Sequence, residues 1–252
     1  MDWQFPFGSI PANLGTRTLV ANGGSPFEGR YRALLFDMDG TVLNSIAVAE
    51  RIWSAWAIDH GIDLETFLPT IHGVRSVDTI AALQLPGINP EIEAQRITTT
   101  EIATADGIVE ISGAAKFLRS LLPDRWAIVT SAPLALATAR LKAAGLPLPS
   151  VLVTSEDVTN GKPDPECYLL AARKLGVNAR ECLVFEDAAV GILAAQAAGA
   201  RVIVVAETHL HPVEPAYTTI PAYEHLVADV DDEGFICVAS ASRAPLQLSN
   251  TT

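Results

Sequence analysis

Five short apolar runs are spaced along this chain, and helix-like stretches separate the last four of them. The runs are "RALLF" (32–36), "WAIVT" (126–130), "VLVT" (151–154), "CLVF" (182–185) and "RVIVV" (201–205). A short continuous apolar run without period-two alternation fits a strand buried on both faces. The stretches between them are "PLALATARLKAAG" (133–145), "PECYLLAARKLG" (165–176) and "AAVGILAAQAAG" (188–199). Two begin at or near Pro and all three stop at Gly, as helix ends favour. Strand and helix in alternation predict an α/β fold, with a Rossmann-like parallel sheet and right-handed crossovers.

Residues 46–107 break that rhythm. "IAVAERIWSAWAIDHG", "DLETFLPTIHG", "SVDTIAALQL" and "PEIEAQRITTTEIATAD" all read as helices. The expectation is an inserted helical domain over 46–107, with the α/β core formed by 31–45 and 108–240. Trp53 and Trp56, three apart, would share the core face of its first helix. Residues 1–30, rich in Gly, Pro, Ser and Asn, read as an N-terminal extension, and 241–252 as a tail.

The chain has 252 residues, 49% of them hydrophobic, enough for one sizeable core and a small second domain. Its formal net charge of -12 argues against nucleic acid and anionic membrane as partners, which need clustered Lys and Arg. The three cysteines, Cys167, Cys182 and Cys237, have no metal-ligand spacing and read as idle thiols of a reducing compartment. No apolar stretch reaches membrane-spanning length, and the N-terminus lacks the basic start and apolar run of a secretory signal. A cytoplasmic protein, monomeric or weakly dimeric, is the expectation.

Polar residues collect at the ends of the apolar runs, where parallel sheets bind ligands. "RALLF" ends in Asp37 and Asp39, "WAIV" in Thr130 and Ser131, and "CLVF" in Glu186 and Asp187. "NGKPDP" (160–165) places Lys162 just before a helix. Two carboxylates as close as Asp37 and Asp39 repel and resist ionising unless something offsets them. Mg²⁺, a hard cation that takes carboxylate and phosphate oxygens, would offset Asp37, Glu186 and Asp187 together. A carboxylate can then attack phosphorus. Thr130, Ser131 and Lys162 would hold the phosphoryl oxygens, and Asp39 would exchange a proton with the leaving alcohol. Gly40 would allow a tight turn and offer its backbone N–H to the anion. Singly, each piece has a plainer reading as a turn, a loop or a helix cap; together, in this order, coincidence is a poor explanation.

"FDMDGT", "IVTS", "GKPDP" and "VFEDAAVG" resemble the four motifs of the haloacid dehalogenase superfamily. The resemblance covers roughly residues 32–238, and the inserted helices resemble that superfamily's small cap domain. It implies Asp37 as nucleophile, Asp39 as general acid/base, Thr130 and Lys162 on phosphate, and Mg²⁺ held by Asp37, Glu186, Asp187 and the Asp39 carbonyl. Around "IHGVRSVDTI" and "WAIVTSA" the chain is most similar to sugar- and polyol-phosphate phosphatases, implying a small phosphomonoester substrate. Asn44 stands where many relatives carry Asp. β-Phosphoglucomutase-like mutases, the alternative, carry a His where this chain has Ala49. A dehalogenase or a non-catalytic regulatory protein fits the complete motif set less well. The loop "IHGVRS" (71–76) offers His72 and Arg75 as donors to the leaving group's hydroxyls.

Overall fold

A computed structural model describes residues 29–209 and 217–240. The expected extension, apart from its last two residues, and the expected tail lie outside the described residues. The chain enters through β1 (Ala33–Phe36) and the short β2 (Leu43–Asn44). Four helices follow: α1 (Ile46–Asp59), α2 (Leu64–Phe67), α3 (Ser76–Ala82) and α4 (Pro90–Ala103). It returns through β3 (Val109–Glu110), α5 (Ala114–Ser120), β4 (Trp126–Val129), α6 (Leu134–Ala143) and β5 (Val151–Val153). Then come α7 (Glu166–Lys174), β6 (Cys182–Glu186), α8 (Ala189–Ala197), β7 (Arg201–Val205), β8 (Thr218–Ile220), β9 (Leu226–Val230) and β10 (Ile236–Ser240).

Six strands form one parallel sheet in the order β5-β4-β1-β6-β7-β8. The apolar runs are continuous because both faces are covered. Leu34 and Phe36 of β1 point into a cluster with residues of α5 and α6, while Ala33 and Leu35 point into another with residues of α7 and α8. Phe36 stacks on Phe185 with ring centroids 4.8 Å apart. β1 lies between β4 and β6, so the strand order reverses there and a crevice opens at the strands' carboxyl ends.

α1–α4 enclose a separate apolar cluster that includes Trp53, Trp56, Phe67, Ile80 and Ile97. Trp53 and Trp56 meet edge to face, 5.8 Å between centroids, and Trp56 Nε1 donates to Glu93 Oε2 at 3.1 Å. "DLETFLPTIHG" is not one helix: α2 gives way to a 3-10 turn over Leu68–Thr70 with Pro69 in its first turn. Proline lacks the N–H that would continue the α-helical ladder. β2 and β3 pair antiparallel and tie together the two strands of chain that lead into and out of these helices. Among the described residues, no helix is long and apolar enough to cross a membrane.

Candidate active site

The end of β1 delivers Asp37 into the crevice; its backbone N–H donates to Phe185 O of β6 at 3.0 Å. Asp37 is buried, and Lys162 Nζ donates to its Oδ1 at 2.5 Å and to Glu186 Oε1 at 2.6 Å. Glu186 is fully buried at the tip of β6. Its Oε1 also accepts from Tyr168 Oη at 3.0 Å, and its Oε2 from the backbone N–H groups of Asp187 (2.8 Å) and Ala188 (2.9 Å). The structure brings Glu186, expected to hold the cation, into one cluster with Asp37 and Asp187, where it also orients Lys162 and the Asp187 backbone.

Two glycines make room for these carboxylates. A Cβ on Gly191 would lie 1.5 Å from Glu186 Oε1, and one on Gly40 would lie 1.9 Å from Asp187 Oδ2. Gly40 has φ 84°, the left-handed region. Its backbone N–H donates to Leu43 O at 2.7 Å, closing the turn, and is therefore committed there rather than offered to an anion. Thr41 Oγ1 donates to Asp187 Oδ1 at 3.0 Å.

Oxygen atoms of Asp37, Glu186 and Asp187 all lie within 4.8 Å of one another. Among the described residues, Lys162 is the one ammonium paired within this cluster. Burial pushes Asp37 up to about 8; Lys162 opposes that and Glu186 reinforces it. Asp187 is pushed up as well, by burial and then by Glu186 and Asp37. Burial works against the Lys162 charge, but Asp37 and Glu186 more than offset it and raise its pKa. An all-oxygen cluster with more negative charge than one lysine can balance fits a hard divalent cation.

A pH-dependent stability follows. A carboxyl whose pKa is higher folded than unfolded binds more protons in the fold. Its contribution is full below the unfolded value and is lost as pH rises toward the folded one, here from 3.8 to about 8. Metal-free protein should therefore lose thermal stability across that window. Excess Mg²⁺ should raise Tm more at about pH 8 than at about pH 5, since protons no longer compete. Melting curves in chelator and in Mg²⁺ test this; an equal Mg²⁺ increment at both pH values would contradict it.

Asp39 sits apart from this cluster. Its Oδ1 accepts from Ser45 Oγ at 2.5 Å and pairs with Arg140 Nη1 at 2.9 Å. Arg140 is buried on α6, and its Nη2 donates to Glu101 Oε1 of α4 at 2.9 Å. Thr130 is buried at the end of β4 and accepts from Ala132 N at 3.0 Å, leaving its hydroxyl proton free to donate. Asp37, Asp39, Thr130, Glu101, Arg140 and Ala49 all line one cavity between the helical insert and the core.

The structure puts three expected site residues to other uses. Ser131 Oγ, expected on phosphate, donates to Gly73 O at 2.8 Å and holds the 71–76 loop to the core. Arg75, expected at the leaving group, is engaged by Asp78 at 2.6 and 3.0 Å and donates to Thr159 O at 3.0 Å. It clamps the insert onto the loop carrying Lys162, where a Cβ on Gly161 would lie 2.7 Å from Arg75 Nε. Asn44 Oδ1 accepts from Ile46 N at 3.1 Å and caps the start of α1. His72 does line the cavity, with Nε2 3.1 Å from Glu50 Oε1. Arg140 and Glu101 escaped the sequence reading, although each is a charged residue on the buried face of its helix, beside Ala137 and Leu141 or Ile97 and Thr98.

A sheet with carboxylates at the tips of β1 and β6, a lysine between them and a helical insert after β1 defines a hydrolase of one architecture. The haloacid dehalogenase-like hydrolase family matches residues 31–199, and the chain belongs to that family. Hexitol phosphatase A of Escherichia coli K12 is 42% identical over 182 residues, 70% of this chain and 83% of that protein. Glycerol-1-phosphate phosphohydrolase 2 of Saccharomyces cerevisiae is 31% identical over 194 residues, 73% of this chain and 78% of that protein. Among solved structures, a hydrolase from Pseudomonas syringae superposes with a TM-score of 0.63 at 28% identity, covering 75% of this chain and 91% of that one.

Proposed function

We propose that this chain is a Mg²⁺-dependent phosphatase of small phosphorylated polyols and sugars, acting through an aspartyl-phosphate on Asp37. The observation that carries the reading is the pairing of Asp37 and Lys162 inside a carboxylate cluster, beneath a cavity that also holds Asp39. Asp37, Glu186 and Asp187, with the carbonyl of Asp39, would hold the cation. Bound there, Mg²⁺ supplies neutralisation of the carboxylates and the phosphoryl oxygens. Lys162 orients the Asp37 carboxylate and offsets phosphoryl charge, and Thr130 donates to a phosphoryl oxygen. An Asp37 oxygen bonds to phosphorus as the ester P–O bond breaks, and Asp39 gives its proton to the departing alcohol. The ionised Asp39 then takes a proton from water, whose oxygen attacks phosphorus and frees Asp37.

The cavity favours a neutral, hydroxylated leaving group. Its arginine, Arg140, is already balanced by Asp39 and Glu101, and His72 faces Glu50. Among the described residues that line the cavity, no cation is left over for a second phosphate or a carboxylate on the substrate. Ala49, where the mutases carry His, lines the cavity with a methyl group alone, which favours water over a sugar hydroxyl as acceptor. A panel of phosphomonoesters ranked by kcat/KM in Mg²⁺ tests the substrate class. Hexitol and glycerol phosphates should exceed sugar bisphosphates and phosphoglycolate by roughly tenfold or more, the scale of one unpaired charge or lost hydrogen bond. A preference for the doubly anionic substrates would overturn it, as would isomerisation of β-glucose 1-phosphate faster than phosphate release.

A further inference from the structure

The structure assigns Arg140 a part in catalysis: we propose that it is the positioning residue for Asp39, fixing which carboxyl oxygen faces the substrate, and that Glu101 anchors it for this task from the helical insert. This deepens the phosphatase reading and rests on it.

Asp39 Oδ1 is held twice, by Ser45 Oγ at 2.5 Å and by Arg140 Nη1 at 2.9 Å. Among the described residues, Oδ2 accepts no hydrogen bond. The carboxyl therefore cannot turn about its Cβ–Cγ bond without breaking both contacts, and Oδ2 is the oxygen left to carry the proton. In the transfer, the Oδ2–H bond breaks and its electron pair stays on the carboxylate. The proton joins the alcohol oxygen, which takes the pair of the breaking P–O bond. Asp39 is more accessible than its neighbour, with 28% of its side chain exposed against 6% for Asp37, as a group that must reach a leaving alcohol requires.

Packing alone does not call for an arginine here. Arg140 lies on the apolar stripe of α6 with Leu136, Ala137 and Leu141, where a leucine or methionine would fill the space. A buried ion pair is on average no more stabilising than well-packed apolar residues of similar volume. What an arginine adds is a planar fork that can hold two carboxylates in fixed directions. Nη1 goes to Asp39 of the core and Nη2 to Glu101 of α4, so the fork spans the joint between core and insert. Proton transfer is geometrically ready only with α4 seated against α6. Contacts of Ser131 with Gly73 and of Arg75 with Thr159 also seat the insert in this structure.

The test uses two substrates that differ in their need for a proton. Glycerol phosphate has a poor leaving group; nitrophenyl phosphate leaves as a stable anion. Arg140→Ala should lower kcat/KM on glycerol phosphate by about 100-fold, the lower end of what general acid catalysis supplies. On nitrophenyl phosphate kcat/KM, which ends at release of the leaving group and so leaves out hydrolysis of the aspartyl-phosphate common to both substrates, should lose less than about 5-fold, because that leaving group needs little protonation. Guanidinium added in solution should restore part of the glycerol phosphate rate. Glu101→Gln, which keeps size and an acceptor oxygen, should show the same asymmetry at about tenfold, and it decides the matter should Arg140→Ala not fold. Equal losses on both substrates, or none, overturn the positioning role while leaving the phosphatase reading intact. A wild-type protein that hydrolyses neither substrate in Mg²⁺ overturns that reading and this inference with it.

Discussion

Asp37→Asn should abolish turnover while the fold survives. Asn keeps the shape and an acceptor oxygen for Lys162 Nζ, but its amide cannot attack phosphorus. The loss in kcat should be at least about 10⁴-fold, as for removal of other covalent nucleophiles. Stability should hold or rise in chelator, because a neutral amide replaces a carboxyl that burial, reinforced by Glu186, pushes up to about 8. Kinetics on a hexitol phosphate and a melting curve of the same preparation separate the two effects. Activity within about tenfold of wild type would exclude Asp37 as the nucleophile.

Lys162→Met should have the largest effect on stability. The lysine side chain is 2% exposed and touches two buried carboxylates, Asp37 and Glu186. Methionine fills similar volume but leaves those groups with no cation. Removing one partner of a buried pair costs about 3–5 kcal/mol. The deficit should shrink as pH falls, since protonation removes the unpaired charge, and should shrink again with Mg²⁺. Urea unfolding with and without Mg²⁺ measures both trends. A Lys162→Met protein as stable as wild type in chelator near neutral pH would mean the cluster is not held by this lysine.

Much of this arrangement was legible because strand tips in parallel sheets have a fixed use. The runs ending in Asp37, Thr130 and Glu186 became β1, β4 and β6, which lie side by side in the sheet. What escaped the sequence was short or polar. β2 and β3 have two residues each and no periodicity to detect. α5 has seven residues and follows Gly113, a left-handed residue on which a Cβ would lie 2.7 Å from Glu224 N. β9 and β10 form a separate two-stranded sheet whose residues are mostly not buried, so they carry little apolar signal.

The assignments of individual donors failed for a different reason. Ser131, Arg75 and the Gly40 N–H are near the site in sequence and could have served a ligand. Their actual partners, Gly73, Asp78 with Thr159, and Leu43, are set by how the insert docks and how one turn closes. Residue type and spacing do not encode those distances. Arg140 and Glu101 show the reverse case. A charged residue on each of two buried helix faces, of opposite sign, was the available signal for a pair across the joint.

The central claim is a covalent phosphoryl group on Asp37, and trapping it is the direct measurement. Protein mixed with ³²P-labelled hexitol phosphate and Mg²⁺ is quenched in acid within the first turnover, digested and mapped. The account predicts label on the peptide carrying Asp37, released by hydroxylamine as an acyl phosphate must be, and absent from Asp37→Asn. Full turnover with no labelled protein at any quench time, and inversion of configuration at phosphorus, would show that water attacks the substrate directly and would contradict it.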